Sequence, residues 1–195
     1  MTLRVLAAAD RQAVSWKNGG GVTREIAAYP TGSDLETFEW RVSTALVAAD
    51  GPFSVFGGVE RTLAVLDGEG LTLRIGGAAP VLLRPDDDPF GFPGDVAAAA
   101  SLVGGAVTDL NVMTRRGAWS ARVQRRSLGS AATLTAETDA CLILVRDACE
   151  VRAGPSARQL VPEDALLLAR GDRIELVPSR GAARILVVEL SRSGQ

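Results

Sequence analysis

Short apolar runs separated by glycine, proline and aspartate dominate the chain from Phe38 onward, which is the pattern of an all-β sandwich or barrel. The runs predict strands over 40–47, 62–66, 71–75, 81–83, 108–114, 119–124, 133–135, 142–145, 150–153, 159–161, 165–169, 173–177 and 184–190. Nearer the start, Val22, Arg24 and Ile26 alternate with Thr23, Glu25 and Ala27, the two-residue period of a strand. Gly19, Gly20 and Gly21 precede it and let the chain turn sharply or approach another strand closely. Helix signals are poor: 96–102 is alanine-rich, but short enough for a single turn or a loop.

The same alternation sorts side chains to faces. Arg41 and Ser43 share a face, as do Asp109 and Asn111, with Leu110 and Val112 pointing the other way. Such faces either meet solvent, as one side of an antiparallel sheet often does, or line a cavity. In the second half Leu142, Leu144, Leu166 and Leu168 have few polar partners, which predicts a filled interior there.

An internal duplication is visible. The run 63–68 leads through 71–76 and 80–83 to Gly94-Asp95, and 142–147 leads through 150–154 and 159–162 to Gly171-Asp172. Each Gly-Asp step is expected to be a tight turn closed by an Asx-type bond. The expected architecture is a pair of stacked jelly-roll barrels in one compact unit, 1–195. The repeats are 38–115 and 118–192, with an N-terminal strand, 14–30, completing the sheets.

Several motifs stand in a fixed order. They are Trp16-Lys17-Asn18-Gly19-Gly20-Gly21-x-Thr23-x-Glu25, Phe38-x-Trp40-Arg41-x-Ser43, Gly51-Pro52-Phe53-Ser54-x-Phe56, and Arg61 leading into Leu66-x-Gly68-x-Gly70. Phe92-x-Gly94-Asp95 and Asp109-x-Asn111-Val112-Met113 complete the set. Together they resemble the signature of the HutD/Ves family of cupin-like proteins. The resemblance implies an all-β fold of double-stranded β-helix (cupin) jelly-roll barrels, internally duplicated as a bicupin. It also implies an accessory or regulatory role in histidine catabolism.

Composition narrows the chemistry. The 195 residues are 47% hydrophobic and 23% charged, with a net charge of −2, which is globular composition. No apolar run is long enough for a membrane span. The opening ten residues carry too short an apolar block for a signal peptide, so a cytoplasmic location is the expectation. Arg122, Arg125 and Arg126 form a short cluster without interleaved aromatics, unlike a nucleic-acid-binding face. Cys141 and Cys149 flank a turn, on strands expected to be adjacent, and are expected to be reduced, buried thiols.

The chain contains no histidine. That removes the Ser-His-Asp and Cys-His arrangements and the histidine-rich metal site found in many cupin enzymes. Asp86-Asp87-Asp88, bracketed by Pro85 and Pro89, lacks the ligand alternation of a calcium loop. No cofactor is expected. Lys17 precedes its glycines, the reverse of a phosphate loop.

What remains suits a small acidic metabolite. Arg41 and Arg61 each offer a planar fork for a carboxylate, Asn18 and Asn111 amides, and Thr23 and Ser43 hydroxyls. Glu25 would repel a second carboxylate or accept a ligand N–H, and Trp16, Trp40 and Met113 are candidates for an apolar wall. Gly20 and Asp109 complete the candidate ligand-binding set. The arginines have structural alternatives: Arg41 with Glu39 or Glu60, Arg61 with Asp50 or Asp67. The leading expectation is a metal-independent small-molecule-binding protein, and the family resemblance implies formylglutamate or urocanate as its ligand. The alternatives are an isomerase-like enzyme using Glu25 or Asp109 as general base, and a scaffold or dimerisation module. A homodimer through sheet edges is compatible with each.

Overall fold

Backbone pairing follows the punctuation of the sequence. The structure, a computed structural model, describes residues 3–194; Met1, Thr2 and Gln195, including the first two residues of the stretch considered for a leader, lie outside them. Among the described residues the regular elements are antiparallel strands, apart from a 3₁₀ turn at Ala8–Asp10. The fold is all-β. No helix among the described residues is long and apolar enough to cross a membrane.

The chain divides into two units: residues 12–120, and residues up to 11 together with 121 onward. In the 12–120 unit a six-stranded sheet runs in the order Ala13–Ser15, Gly21–Tyr29, Trp40–Val47, Val107–Arg115, Val59–Asp67, Phe90–Pro93. A four-stranded sheet runs Gly51–Pro52, Ala98–Leu102, Leu71–Ile75, Val81–Leu83. Val47, Leu63, Val65 and Val107 of the first pack against Leu71, Leu73, Leu83, Ala98 and Ala100 of the second, giving a dry core between the sheets.

The stretch 96–102 is therefore mostly strand, not a helical turn or loop. Ala98 and Ala100 are buried beneath the larger sheet, and Ala100 pairs with Leu73. Close packing between sheets overrides alanine's helix preference. Two-residue strands such as Gly51–Pro52 have no local signature, because their partner alone defines them.

The other unit has a five-stranded sheet in the order Val5–Leu6, Ala165–Ala169, Ala140–Val145, Ala183–Arg192, Trp119–Leu128. Its four-stranded sheet runs Ala132–Thr135, Arg173–Pro178, Cys149–Ala153, Ser156–Leu160. Its core is apolar, but Cys141, Ile143 and Val145 join Leu166 and Leu168 in it, not Leu142 and Leu144. Leu142 and Leu144 are fully buried on the opposite face. The two cysteines lie in different sheets of this unit, not on adjacent strands, and both are free. Burial pushes each thiol up to about 11.

The two Gly-Asp steps diverge. Asp172 accepts from the Ala169 amide, three residues before it, at 2.9 Å, which closes the turn but is not the Asx-type bond expected, whereas Asp95 grips Arg116 at 3.0 and 3.1 Å. Asp87 closes its acidic loop by accepting from the Arg84 amide at 2.7 Å.

Candidate functional site

Register in the six-stranded sheet decides which polar side chains meet. Residues paired across strands share a face, as do alternate residues along one. Glu25, Ser43, Asn111 and Leu63 form one row, and Arg41, Met113, Arg61 and Phe92 the next. Thr23, Ala45, Asp109 and Val65 form a third. Leu63, Val65 and Phe92 belong to the core between the sheets, so this face points into the barrel. The alternating polar residues thus line the interior.

Arg61 is only 4% exposed. Its Nε donates to Asn111 Oδ1 at 3.4 Å and its Nη1 to the Ser54 carbonyl at 3.3 Å. The guanidinium carbon sits 5.0 Å from the Phe53 ring centre, 5.1 Å from Phe92 and 6.0 Å from Phe56, cation–π distances. Burial pushes its pKa down to about 10; nearby Asp109 opposes the shift and Arg41 adds to it. Of the suggested ion-pair partners, Asp50 for Arg61 and both Glu39 and Glu60 for Arg41 are bonded elsewhere. Asp50 accepts the Leu102 amide, Glu39 accepts the Trp119 indole N–H, and Glu60 pairs with Arg116.

Arg41 instead donates Nε to Glu25 at 2.7 Å and Nη1 to the Ser43 hydroxyl at 3.3 Å. Its side chain is 13% exposed and that of Glu25 46%, so this end of the polar layer reaches solvent. In both arginines Nη2 has no hydrogen-bond partner among the described residues. The two stand on strands either side of Met113, their Cα atoms roughly 10 Å apart from strand spacing.

Asp109 is 1% exposed, with Oδ1 unpartnered. Burial pushes its pKa up to about 7, against the pull of Arg61. Met113 packs with Phe38, Phe56 and Val59, which plug the barrel beyond the arginine row. Arg115 fixes this plug: its guanidinium lies 5.0 Å from the Phe38 ring centre and donates to the Phe38, Gly57 and Glu36 carbonyls.

The glycine turn contributes shape more than donors. Trp16 Nε1 donates to the Thr23 hydroxyl at 2.8 Å, and its ring packs edge-on to Phe53 at the rim of the core. Asn18 is exposed and accepts the Gly20 amide at 3.0 Å, closing the turn. Trp40 lies on the opposite face from Arg41 and stacks on Tyr29, so it cannot belong to the same pocket wall. Phe53, Phe56, Phe92 and Ser54 are the site residues that motif reading quoted but did not assign. Gly94 belongs with them, because a Cβ there would come within 3.3 Å of the Arg61 side chain.

Gly21 is tightly confined: a Cβ would lie 2.5 Å from the Leu46 carbonyl oxygen and 3.0 Å from the Trp16 ring. Gly21→Ala is expected to cost roughly 1–3 kcal/mol by overpacking. Gly51→Ala, with its nearest neighbour at 4.0 Å, is expected to be nearly neutral. Urea denaturation of both variants checks this; equal midpoints would contradict it.

Elsewhere, a shallow depression of about 310 Å³ lies between two turns of the other unit, lined by Ala153, Gly154, Pro155, Gly171, Asp172 and Arg173. It holds no convergent polar set. No group of three metal-ligating side chains occurs among the described residues.

The HutD family model matches residues 8–186. An uncharacterized 21.2 kDa protein in the hutC 3' region of Pseudomonas putida is 33% identical over 189 residues, 96% of this chain and 97% of its own. Protein Ves of Citrobacter koseri is 41% identical over 110 residues, 56% of each chain. A conserved protein of unknown function from Pseudomonas aeruginosa PAO1 superposes with a TM-score of 0.87 at 32% identity, covering 98% of this chain and all (100%) of the other. HutD from Pseudomonas fluorescens SBW25, solved in a formate condition, gives 0.81 at 28%, covering 99% and 100%. A cupin 2 conserved barrel protein from Leptotrichia buccalis, at 10% identity, TM-score 0.59 and coverage of 91% and 92%, shares the fold alone.

Proposed function

The chain belongs to the HutD family, and from that premise we propose that it is a metal-independent protein binding a small acidic metabolite inside the 12–120 barrel. One observation carries the reading. Two arginines on one interior face each keep Nη2 without a hydrogen-bond partner among the described residues. A buried guanidinium without a fully matched counter-ion favours an anion, and a carboxylate accepts two parallel N–H bonds from one fork. Asn111 on the intervening strand and Ser43 on the Arg41 strand, paired across the sheet, would orient the rest of the ligand. Phe53, Phe56 and Trp16 supply the apolar rim.

Formylglutamate and urocanate are the candidates, since each has a carboxylate and an adjoining planar polar group. Their place in histidine catabolism rests on the family resemblance and on the locus that names the Pseudomonas putida relative. The role proposed is accessory or regulatory, in the cytoplasm, as a monomer or homodimer. A second reading has one observation in its favour: Asp109, pushed up to about 7, has the pKa of a usable general base.

Thermal-shift measurement against both acids separates the readings. A binder gains stability as RT ln(1 + [L]/Kd) and leaves the urocanate ultraviolet band unchanged over hours. Loss of that band would establish an enzyme, and no shift with either acid would reject both candidates.

A further inference from the structure

Asp109 is the least satisfied group of the polar layer. It lies on the inner face, paired across the sheet with Ala45 and Val65 and two residues along its strand from Asn111. Its Oδ1 is sealed from solvent and accepts no hydrogen bond. Its strand partner Val65 belongs to the apolar core with Leu71, Leu73, Ala98 and Ala100, whose side chains carry no donor. The charged groups on its own side are Arg61 from the Val59–Asp67 strand, Arg41 from Trp40–Val47, and Glu25 from Gly21–Tyr29. Glu25 is tied to Arg41. The charge that favours an ionised Asp109 is that of Arg61, acting against burial.

The two guanidiniums are also where a ligand carboxylate would sit. Resting on the acid-binding reading above, we propose that binding is coupled to protonation of Asp109. In the ligand-free protein at pH 8 the carboxyl is ionised in the field of Arg61. It takes up one proton from solvent when a carboxylate ligand neutralises that guanidinium, and then donates an O–H hydrogen bond to an oxygen of that ligand. No covalent bond changes; the proton moves from solvent to Asp109.

The physical chain is short. A second anion beside Asp109 destabilises its charged form, and neutralising Arg61 removes what opposed burial. Burial already places the group at about 7, so the proton moves within the physiological range. Linkage then fixes the sign. Affinity is flat below about pH 7, where both states hold the proton, and falls as pH rises until the bound state also loses it.

The experiment is calorimetric titration with sodium formylglutamate in two buffers of different ionisation enthalpy. Uptake approaching one proton per ligand is expected at pH 8, with affinity falling by up to about tenfold per pH unit between pH 7 and 9. Asp109→Asn should bind with no proton uptake and a flat pH profile. Carbon-13 NMR of aspartate carboxyls in the unmutated protein gives a second readout: one carboxyl should titrate near neutral pH and move upward on saturation. Binding without proton uptake, or uptake that survives in Asp109→Asn, would overturn the coupling and leave the acid-binding reading standing. Absence of formylglutamate binding, with no thermal shift from urocanate either, would overturn both.

Discussion

Asp109→Asn should make the ligand-free protein more stable than the unmutated one at pH 8, and no more stable at pH 4. The folded-state pKa of Asp109 is raised by burial to about 7 from an ordinary value of 3.8. A group shifted in this direction contributes its stability below the unfolded pKa and loses it as pH rises through the folded one. At pH 8 the protein must fold around a desolvated carboxylate that the asparagine variant lacks. Linkage puts the difference at roughly 2–4 kcal/mol, less about 1 kcal/mol where the new amide finds no partner. Urea denaturation of both proteins from pH 4 to 8 measures it as a widening gap. A constant gap would mean that Asp109 is not strained in its ionised form.

The second large effect belongs to Arg61. Arg61→Met keeps an unbranched side chain among Phe53, Phe56 and Phe92 but removes the charge that offsets buried Asp109, so it should weaken folding at pH 8, where Asp109 is ionised, and less at pH 5. Measured at pH 5, anion binding should fall by roughly 10- to 150-fold, the equivalent of about 1.5–3 kcal/mol for a charged hydrogen bond. Arg61→Lys should recover part of it, because a point charge cannot reproduce the fork. Arg61→Ala adds a cavity beneath three rings and should lose stability as well. Calorimetry beside denaturation separates these effects; a methionine variant with unchanged affinity would remove Arg61 from the site.

Much of this was legible from alternation. The Trp40–Val47 strand falls where the sequence predicts it, and so do Leu71–Ile75, Val81–Leu83 and Ala165–Ala169. The shared face of Arg41 with Ser43 and of Asp109 with Asn111 follows from period two. Alternation could not say whether that face met water or the opposing sheet, because the answer lies in the Leu71–Ile75 and Ala98–Leu102 strands that cover it. It failed outright where both faces are buried: a run such as Leu142-Ile143-Leu144 carries no parity signal, and the inward residues were assigned to the wrong set. Ion-pair partners were no more legible. Glu25 reaches Arg41 because a bulge between Glu25 and Ala27 resets the register, and nothing in the local sequence marks that bulge. The phenylalanines around Arg61 were visible as motif residues, but their convergence on one guanidinium depends on three separate chain segments.

The central claim is that a carboxylate docks between Arg41 and Arg61, and arginine side-chain NMR tests it most directly. Nitrogen-15 Nε–H signals of all arginines are followed while formylglutamate is added. The account predicts that Arg41 and Arg61 move together, saturably and with a single dissociation constant, while Arg173 beside the depression in the other unit stays still. Movement of Arg173 with Arg41 and Arg61 unchanged would contradict it.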